Sequence, residues 1–143
     1  YIQLSDSVDI GLAISTEEGV VAPILKDCGR KSLAQINDVS TDLIERTRTG
    51  KLILEDLSGG CMSVSNLGAF GVDSFIPIVI PGQSSILGVG TIQDVVLPVD
   101  KEPAVCQIMN LTLSVDHKVI NGAEAAQFLD FVKKLLEHPD ELI

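Results

Sequence analysis

The hydrophobic pattern of the chain changes period once, sharply, between Ala104 and Leu136. From Ala104 to Asp116 it alternates. Met109, Leu111, Leu113 and Val115 fall on one side, and Asn110, Thr112, Ser114 and Asp116 on the other. A period of two belongs to a strand. From Ala123 onward, Ala126, Phe128 or Leu129, Val132, Leu135 and Leu136 recur at helical spacing until Pro139 stops the run. A long strand leading into an amphipathic helix needs a sheet to join and an apolar layer to cover. The bend between them, Ser114 to Ala123, carries His117, and Asn121-Gly122 opens the helix four residues on. An imidazole in such a bend can be oriented from both sides, as a general base must be.

The remaining segments supply the rest of a sheet and a second helix. Tyr1 to Leu4 reads as extended and Val8 to Ser15 as a strand. Glu17-Glu18-Gly19 reads as a turn, and Val20 to Leu25 as a returning strand broken by Pro23. Leu33, Ile36, Val39, Leu43 and Ile44 then recur at helical spacing, with Ser32 placed to cap the start and Gly50 the end. Glu55-Asp56-Leu57 is a short helical turn. Cys61 to Ser65 is a strand ending in Ser65-Asn66-Leu67-Gly68, and Ala69 to Ser74 is loop. Phe75 to Ile80 is apolar, contains Pro77 and stops at Pro81-Gly82. Ser84 to Ile92 is a buried strand. Val95 to Val99 pairs with it or, through the turn Asp100-Lys101-Glu102-Pro103, with Ala104 to Val115, the longest strand candidate. The expected architecture is α/β, a mixed sheet covered by at least two helices, in one domain over 1–143 with no second.

Composition narrows the partners. The chain is 45% hydrophobic but only 3% aromatic, so its core is built from Val, Ile and Leu. A mean hydropathy of +0.35 raises the odds of a buried subunit contact. A net charge of −10 argues against nucleic acid and anionic lipid. No apolar run approaches the length of a membrane span. Tyr1 is not the start of a signal peptide, and the missing Met reads as a segment of a larger protein.

Few side chains compete with His117. Cys28, Cys61 and Cys106 are odd in number, far apart and without a Cys-x-x-Cys pair, so they suit a reducing compartment and form no zinc site. Cys61 and Cys106 lie in apolar strands, where cysteine behaves as a small hydrophobe. Gly88-Val89-Gly90 lacks the third glycine and the following helix of a dinucleotide loop. His138, beside Pro139, is a surface cation at a helix end. The acidic residues show no paired spacing for a metal, and none is expected. On the residues alone, Ser65 is a strand-end turn serine.

The stretch Asp116-His117-Lys118-Val119-Ile120-Asn121-Gly122-Ala123 resembles the Asp-His-Arg-x-x-Asp-Gly signature of the dihydrolipoamide acyltransferases, the E2 components of the 2-oxo acid dehydrogenase complexes. The resemblance runs through nearly the whole chain in order. Val8 to Ile14 and Gly19 to Asp27 are similar to the family's entry hairpin. Thr49-Gly50-Lys51-Leu52, through Gly59-Gly60 to Ser63 to Gly68, is similar to its central segment, and Ser85 to Gly90 to the buried strand after it.

This resemblance implies a chloramphenicol-acetyltransferase-like fold, of which the chain would be the C-terminal part of a single catalytic domain. It implies an acyltransferase that moves an acetyl or branched-chain acyl group between dihydrolipoamide and coenzyme A. Activity is then expected of the intact parent protein rather than of this chain alone. The implied partners are two further copies in a homotrimer, a larger symmetric core built of trimers, and the parent's lipoyl domain. The E1 and E3 components would bind through regions outside this chain. Coenzyme A is a substrate, and the lipoyl group is carried elsewhere in the parent. The implied compartment is a bacterial cytoplasm or a mitochondrial matrix.

The implied site residues are His117 as base, Ser65 as oxyanion donor from the neighbouring subunit, and Asn121, with Asp116 and Gly122 supporting the motif. Two positions depart from the commoner pattern. Asn121 replaces aspartate, which puts a charge-based role there in doubt, and Lys118 replaces arginine, which turns a bidentate fork into a point charge. The alternatives are a free-standing chloramphenicol-type acetyltransferase acting on a small acceptor and a non-catalytic scaffold relative. Condensation domains of peptide synthetases carry a doubled histidine where this chain has Asp116.

Overall fold

A computed structural model describes residues 4–142. Except for Leu4, the extended segment expected over Tyr1 to Leu4 lies outside them. Among the described residues, seven strands and two helices follow in order: β1 (Ile10–Leu12), β2 (Ile14–Thr16), β3 (Gly19–Val21), β4 (Ile24–Leu25), α1 (Leu33–Arg48), β5 (Met62–Asn66), β6 (Ser85–Val99), β7 (Glu102–Val115) and α2 (Gly122–Glu137). Single 3₁₀ turns lie at Cys28–Arg30, Leu54–Leu57, Gly68–Phe70 and Pro139–Leu142. The main sheet has the order β4-β1-β5-β6-β7, and β2-β3 form a separate hairpin. β5 is parallel to both β1 and β6, while β4 and β7 run antiparallel to their neighbours. This is the expected mixed sheet with two helices.

The expected strand Val8 to Ser15 is divided at Ala13. The Leu12 N–H donates to the Pro23 carbonyl at 2.9 Å, but Pro23 has no N–H to continue the ladder. The Ala13 N–H turns instead to Val64 of β5, at 2.9 Å. The segment therefore leaves the main sheet and pairs again as the β2-β3 hairpin. Val95 to Val99 is not a separate strand either. It continues β6 beyond a bulge between Val89 and Ile92 and pairs with β7 alone, with Val96 opposite Val105. Gly90 and Thr91 lie in the irregular stretch, where a glycine marks a bulge rather than a turn. At 15 residues against 14, β6 is longer than β7. Asp100 and Lys101, both at positive φ (51° and 71°), form the two-residue turn between them.

α1 begins as expected. The Ser32 hydroxyl accepts from the Gln35 N–H at 3.3 Å, and the Gln35 side chain accepts from the Ser32 N–H at 2.9 Å, a reciprocal cap. Gly50 takes φ 66° just beyond the end. Leu43 and Thr47 are buried, whereas Leu33, expected on the apolar face, lies exposed in the first turn. Arg46 grips Asp56 with two hydrogen bonds (2.7 and 2.8 Å), tying α1 to the 3₁₀ turn that precedes β5.

The chain crosses the sheet between β5 and β6. Residues 73–77 lie as a strap over β6, where a methyl at Gly90 would overlap the Asp73 carbonyl and one at Gly88 would come within 3.1 Å of the Phe75 ring. These glycines are spacers for backbone and ring, which accounts for the Gly88-Val89-Gly90 pattern. Under the same face, fully buried Ser63 donates to the Gln83 side chain at 2.6 Å. The core comprises Ile14, Ile24, Leu25, Leu43, Ile86 and Leu87. α2 has no fully buried residue, and Phe128 and Phe131 are exposed.

Candidate active site

His117 stands in a three-residue turn after β7 and is exposed. Asp116 fixes that turn. Its N–H donates to the Ser84 carbonyl at 2.9 Å, tying the turn to the start of β6. Its carbonyl accepts from Val119 (2.9 Å) and Ile120 (3.0 Å), and its carboxylate accepts from the Lys118 N–H at 2.9 Å. A short acceptor reaching its own backbone two residues on is an Asx turn. The Lys118 ammonium enters no ion pair among the described residues.

Asn121 is the N-cap of α2. Its side-chain oxygen accepts from the Glu124 N–H and the Glu124 carboxylate accepts from the Asn121 N–H, both at 3.0 Å. The capping oxygen of the Asn121 amide is therefore engaged. Gly122 is the first residue of the helix, with open space where a side chain would project. Asp116, His117, Asn121 and Gly122 thus form one local unit. Sequence reasoning did not single out Glu124, although Asn-x-x-Glu before an apolar run is the pattern of a capping box.

Ser65 lies elsewhere. It is in β5, half-buried, level with Gly88 of β6 and through it with Thr112 of β7. The hydroxyls of Ser63 and Ser84 are bonded within the chain, whereas that of Ser65 has no partner among the described residues. Thr112 is three residues, about 10 Å, from the end of β7, His117 lies in the turn two residues beyond that end, and two strand spacings of about 4.8 Å separate Ser65 from β7. A single chain does not bring Ser65 and His117 onto one substrate atom. Nor is the polar row of β7 an open cleft wall along its length, because Asn110 donates to the Asp73 carbonyl of the strap at 3.2 Å.

The other reactive groups are poor rivals. Cys28, Cys61 and Cys106 are free thiols. Burial raises the Cys28 pKa, which keeps it a thiol. The Asp9 carboxyl is held below the usual range, first by the Asp27 N–H at 2.7 Å, a structural bond between β1 and the end of β4. Among the described residues no group of His, Cys, Asp and Glu is arranged to hold a metal, and no helix is long and apolar enough to cross a membrane. His138 is exposed at the end of α2.

Against known proteins, residues 1–143 match the family model described as the 2-oxoacid dehydrogenases acyltransferase catalytic domain. The chain is 40% identical, over 146 residues, to the acetyltransferase component of the mitochondrial pyruvate dehydrogenase complex of Schizosaccharomyces pombe. That match covers all of this chain and 30% of the relative. Relatives at similar identity include succinyltransferase components of 2-oxoglutarate dehydrogenase complexes.

Among solved structures, the dihydrolipoamide acetyltransferase of Azotobacter vinelandii superposes with a TM-score of 0.88 at 34% identity, covering 92% of this chain and 54% of that one. That structure belongs to work on the role of one serine, one histidine and one asparagine in the catalytic mechanism. The cubic core of a pyruvate dehydrogenase multienzyme complex gives the same TM-score and coverage at 35% identity. The chain spans about a third of the length of the curated relatives and about half of the solved chains.

Proposed function

The chain belongs to the 2-oxoacid dehydrogenase acyltransferase family, within its catalytic domain. From that premise we propose that the parent protein moves an acyl group between the thiols of dihydrolipoamide and coenzyme A, at the core of a 2-oxo acid dehydrogenase complex. One observation carries the reading. The serine, histidine and asparagine of the Azotobacter enzyme are separated by 52 and then 4 residues, and so are Ser65, His117 and Asn121. The asparagine that departs from the commoner aspartate is thus the residue type of a relative in which it was tested for a catalytic role.

The chemistry suits these groups. A thiol attacks a thioester as thiolate, yet with an ordinary pKa of about 8.5 it is mostly protonated near neutrality. His117 takes that proton as the sulfur attacks the carbonyl carbon, and returns it to the departing sulfur as the tetrahedral intermediate collapses. The Ser65 hydroxyl donates to the oxygen that becomes negative in between. Neither step needs a charge at position 121. Because Ser65 and His117 of one chain are far apart, the site is shared between copies. This fits a trimer in which each interface joins one chain's serine to another's histidine, built into a larger core. The lipoyl domain, E1 and E3 engage through regions outside this chain. Relatives from mitochondria and bacteria support the matrix or the bacterial cytoplasm as the compartment. We read the acyl group as acetyl or branched-chain, and relative turnover of acetyl-, isobutyryl- and succinyl-coenzyme A by the parent ranks it.

The test is steady-state transfer between acetyl-coenzyme A and dihydrolipoamide by the full parent protein. His117→Ala is expected to lower turnover by about 10²–10⁴-fold and Ser65→Ala by about 10²–10³-fold, both with unchanged unfolding midpoints. Co-assembling the two variants in equal amounts should restore about a quarter of wild-type sites by random pairing across a closed ring. Near-normal turnover of His117→Ala removes the base. No recovery in verified mixed assemblies removes the shared site.

A further inference from the structure

All four backbone amides that follow His117 are held, and two acidic residues hold them. The N–H of Lys118 donates to the Asp116 carboxylate at 2.9 Å. Those of Val119 and Ile120 donate to the Asp116 carbonyl at 2.9 and 3.0 Å. That of Asn121 donates to the Glu124 carboxylate at 3.0 Å. Outside this run, Asp116 is itself hung from Ser84 at the start of β6, and Glu124 returns its own N–H to the Asn121 side chain. The turn bearing an exposed histidine is therefore tied at both ends, to the sheet through Asp116 and to α2 through Glu124.

We infer that Asp116 and Glu124 are positioning residues that hold the His117 imidazole and the Asn121 amide in register for acyl transfer. This rests on the reading of His117 as the base. Neither carboxylate needs to touch substrate. One oxygen of each accepts from backbone, and what they fix is the path of the three residues between two site side chains. An exposed turn without such ties samples many conformers, and misplacement of a reacting group by about 1 Å can lower a rate by about 10²-fold. The geometry also separates charge from shape. Asparagine at 116 still offers an oxygen to the Lys118 N–H, and glutamine at 124 still offers one to the Asn121 N–H.

The experiment compares Asp116→Ala, Glu124→Ala, Asp116→Asn and Glu124→Gln in the full parent protein, reading kcat, KM and amide hydrogen exchange at residues 118–121. Each alanine variant is expected to lose about 10- to 100-fold in kcat with KM within about twofold. Exchange at its freed amide should speed at least about tenfold, and the amide variants should recover both. Faster exchange with unchanged kcat overturns the positioning role, as does a rise in KM alone. Unchanged exchange overturns the clamp. A wild-type parent with this exchange protection but no transfer activity would sink the acyltransferase reading instead and leave the clamp standing.

Discussion

The two halves of β6 are written in similar residues and end in opposite surroundings. From Ser85 to Gly90, five of six positions are buried, Ile86 and Leu87 among them. Beyond the bulge, Ile92 and Val96 are each 64% exposed, and Val105, opposite Val96, is 71% exposed. What differs is the number of neighbours. The inner half has β5 on one edge, β7 on the other and the 73–77 strap across one face, while among the described residues the outer half pairs with β7 alone. Apolar content says that a surface will be covered and does not say by which chain. The exposed outer arm, with Phe128 and Phe131 of α2, is the kind of surface a larger assembly removes from water.

That contrast sets the order of the expected stability effects. Ile86→Ala should destabilise the protein by about 3 kcal/mol through lost burial and the cavity left behind, whereas Val96→Ala should change the stability of the dissociated chain by less than about 0.5 kcal/mol. Equal effects in urea unfolding would mean that the arm is already packed. Gly90→Ala comes next. Its methyl would meet the Asp73 carbonyl, so the strap must shift, at about 1–3 kcal/mol. An unchanged unfolding midpoint would show the strap to be loose. At the open end, Asn121→Ala removes the α2 cap and should lower stability by about 1 kcal/mol, read from thermal melts.

The smallest effect is on acid stability. The Arg46 guanidinium, and after it the Ile53 N–H, hold the Asp56 carboxyl below its usual range. Because its folded pKa lies below the unfolded value of about 3.9, the carboxylate form stabilises the fold above that pH. The contribution is lost as pH falls through the lower folded value. Asp56→Asn should therefore flatten part of the decline in urea midpoint as pH falls below about 4. A variant as acid-sensitive as the wild type would show the pair to be dispensable.

What the sequence revealed follows the range of the interactions involved. The His117 bend was readable because its signals are local: alternation up to Asp116, a polar cap at Asn121 and helical spacing beyond. Ser32 and Gly50 bounded α1 for the same reason. The division at Ala13 was not readable, since it depends on which carbonyl Pro23 offers across the sheet. The role of the glycines at 88 and 90 was not readable, because Phe75 and Asp73, which press on them, lie 13 and 17 residues earlier in the chain, and spacing alone does not identify what presses on a glycine. Ser65 had no chemical signature of its own. Only the family resemblance marked it, because the group it would serve beside is not near it in the same chain.

On the proposed roles of Ser65 and His117, their separation would make catalysis a property of association. If both act on one thioester, a fully folded chain alone has no complete site, and specific activity must fall on dilution while circular dichroism stays constant. Enzyme concentration then enters the rate law to a power above one near the dissociation constant of the assembly. A cell making too few copies would hold intact, silent protein.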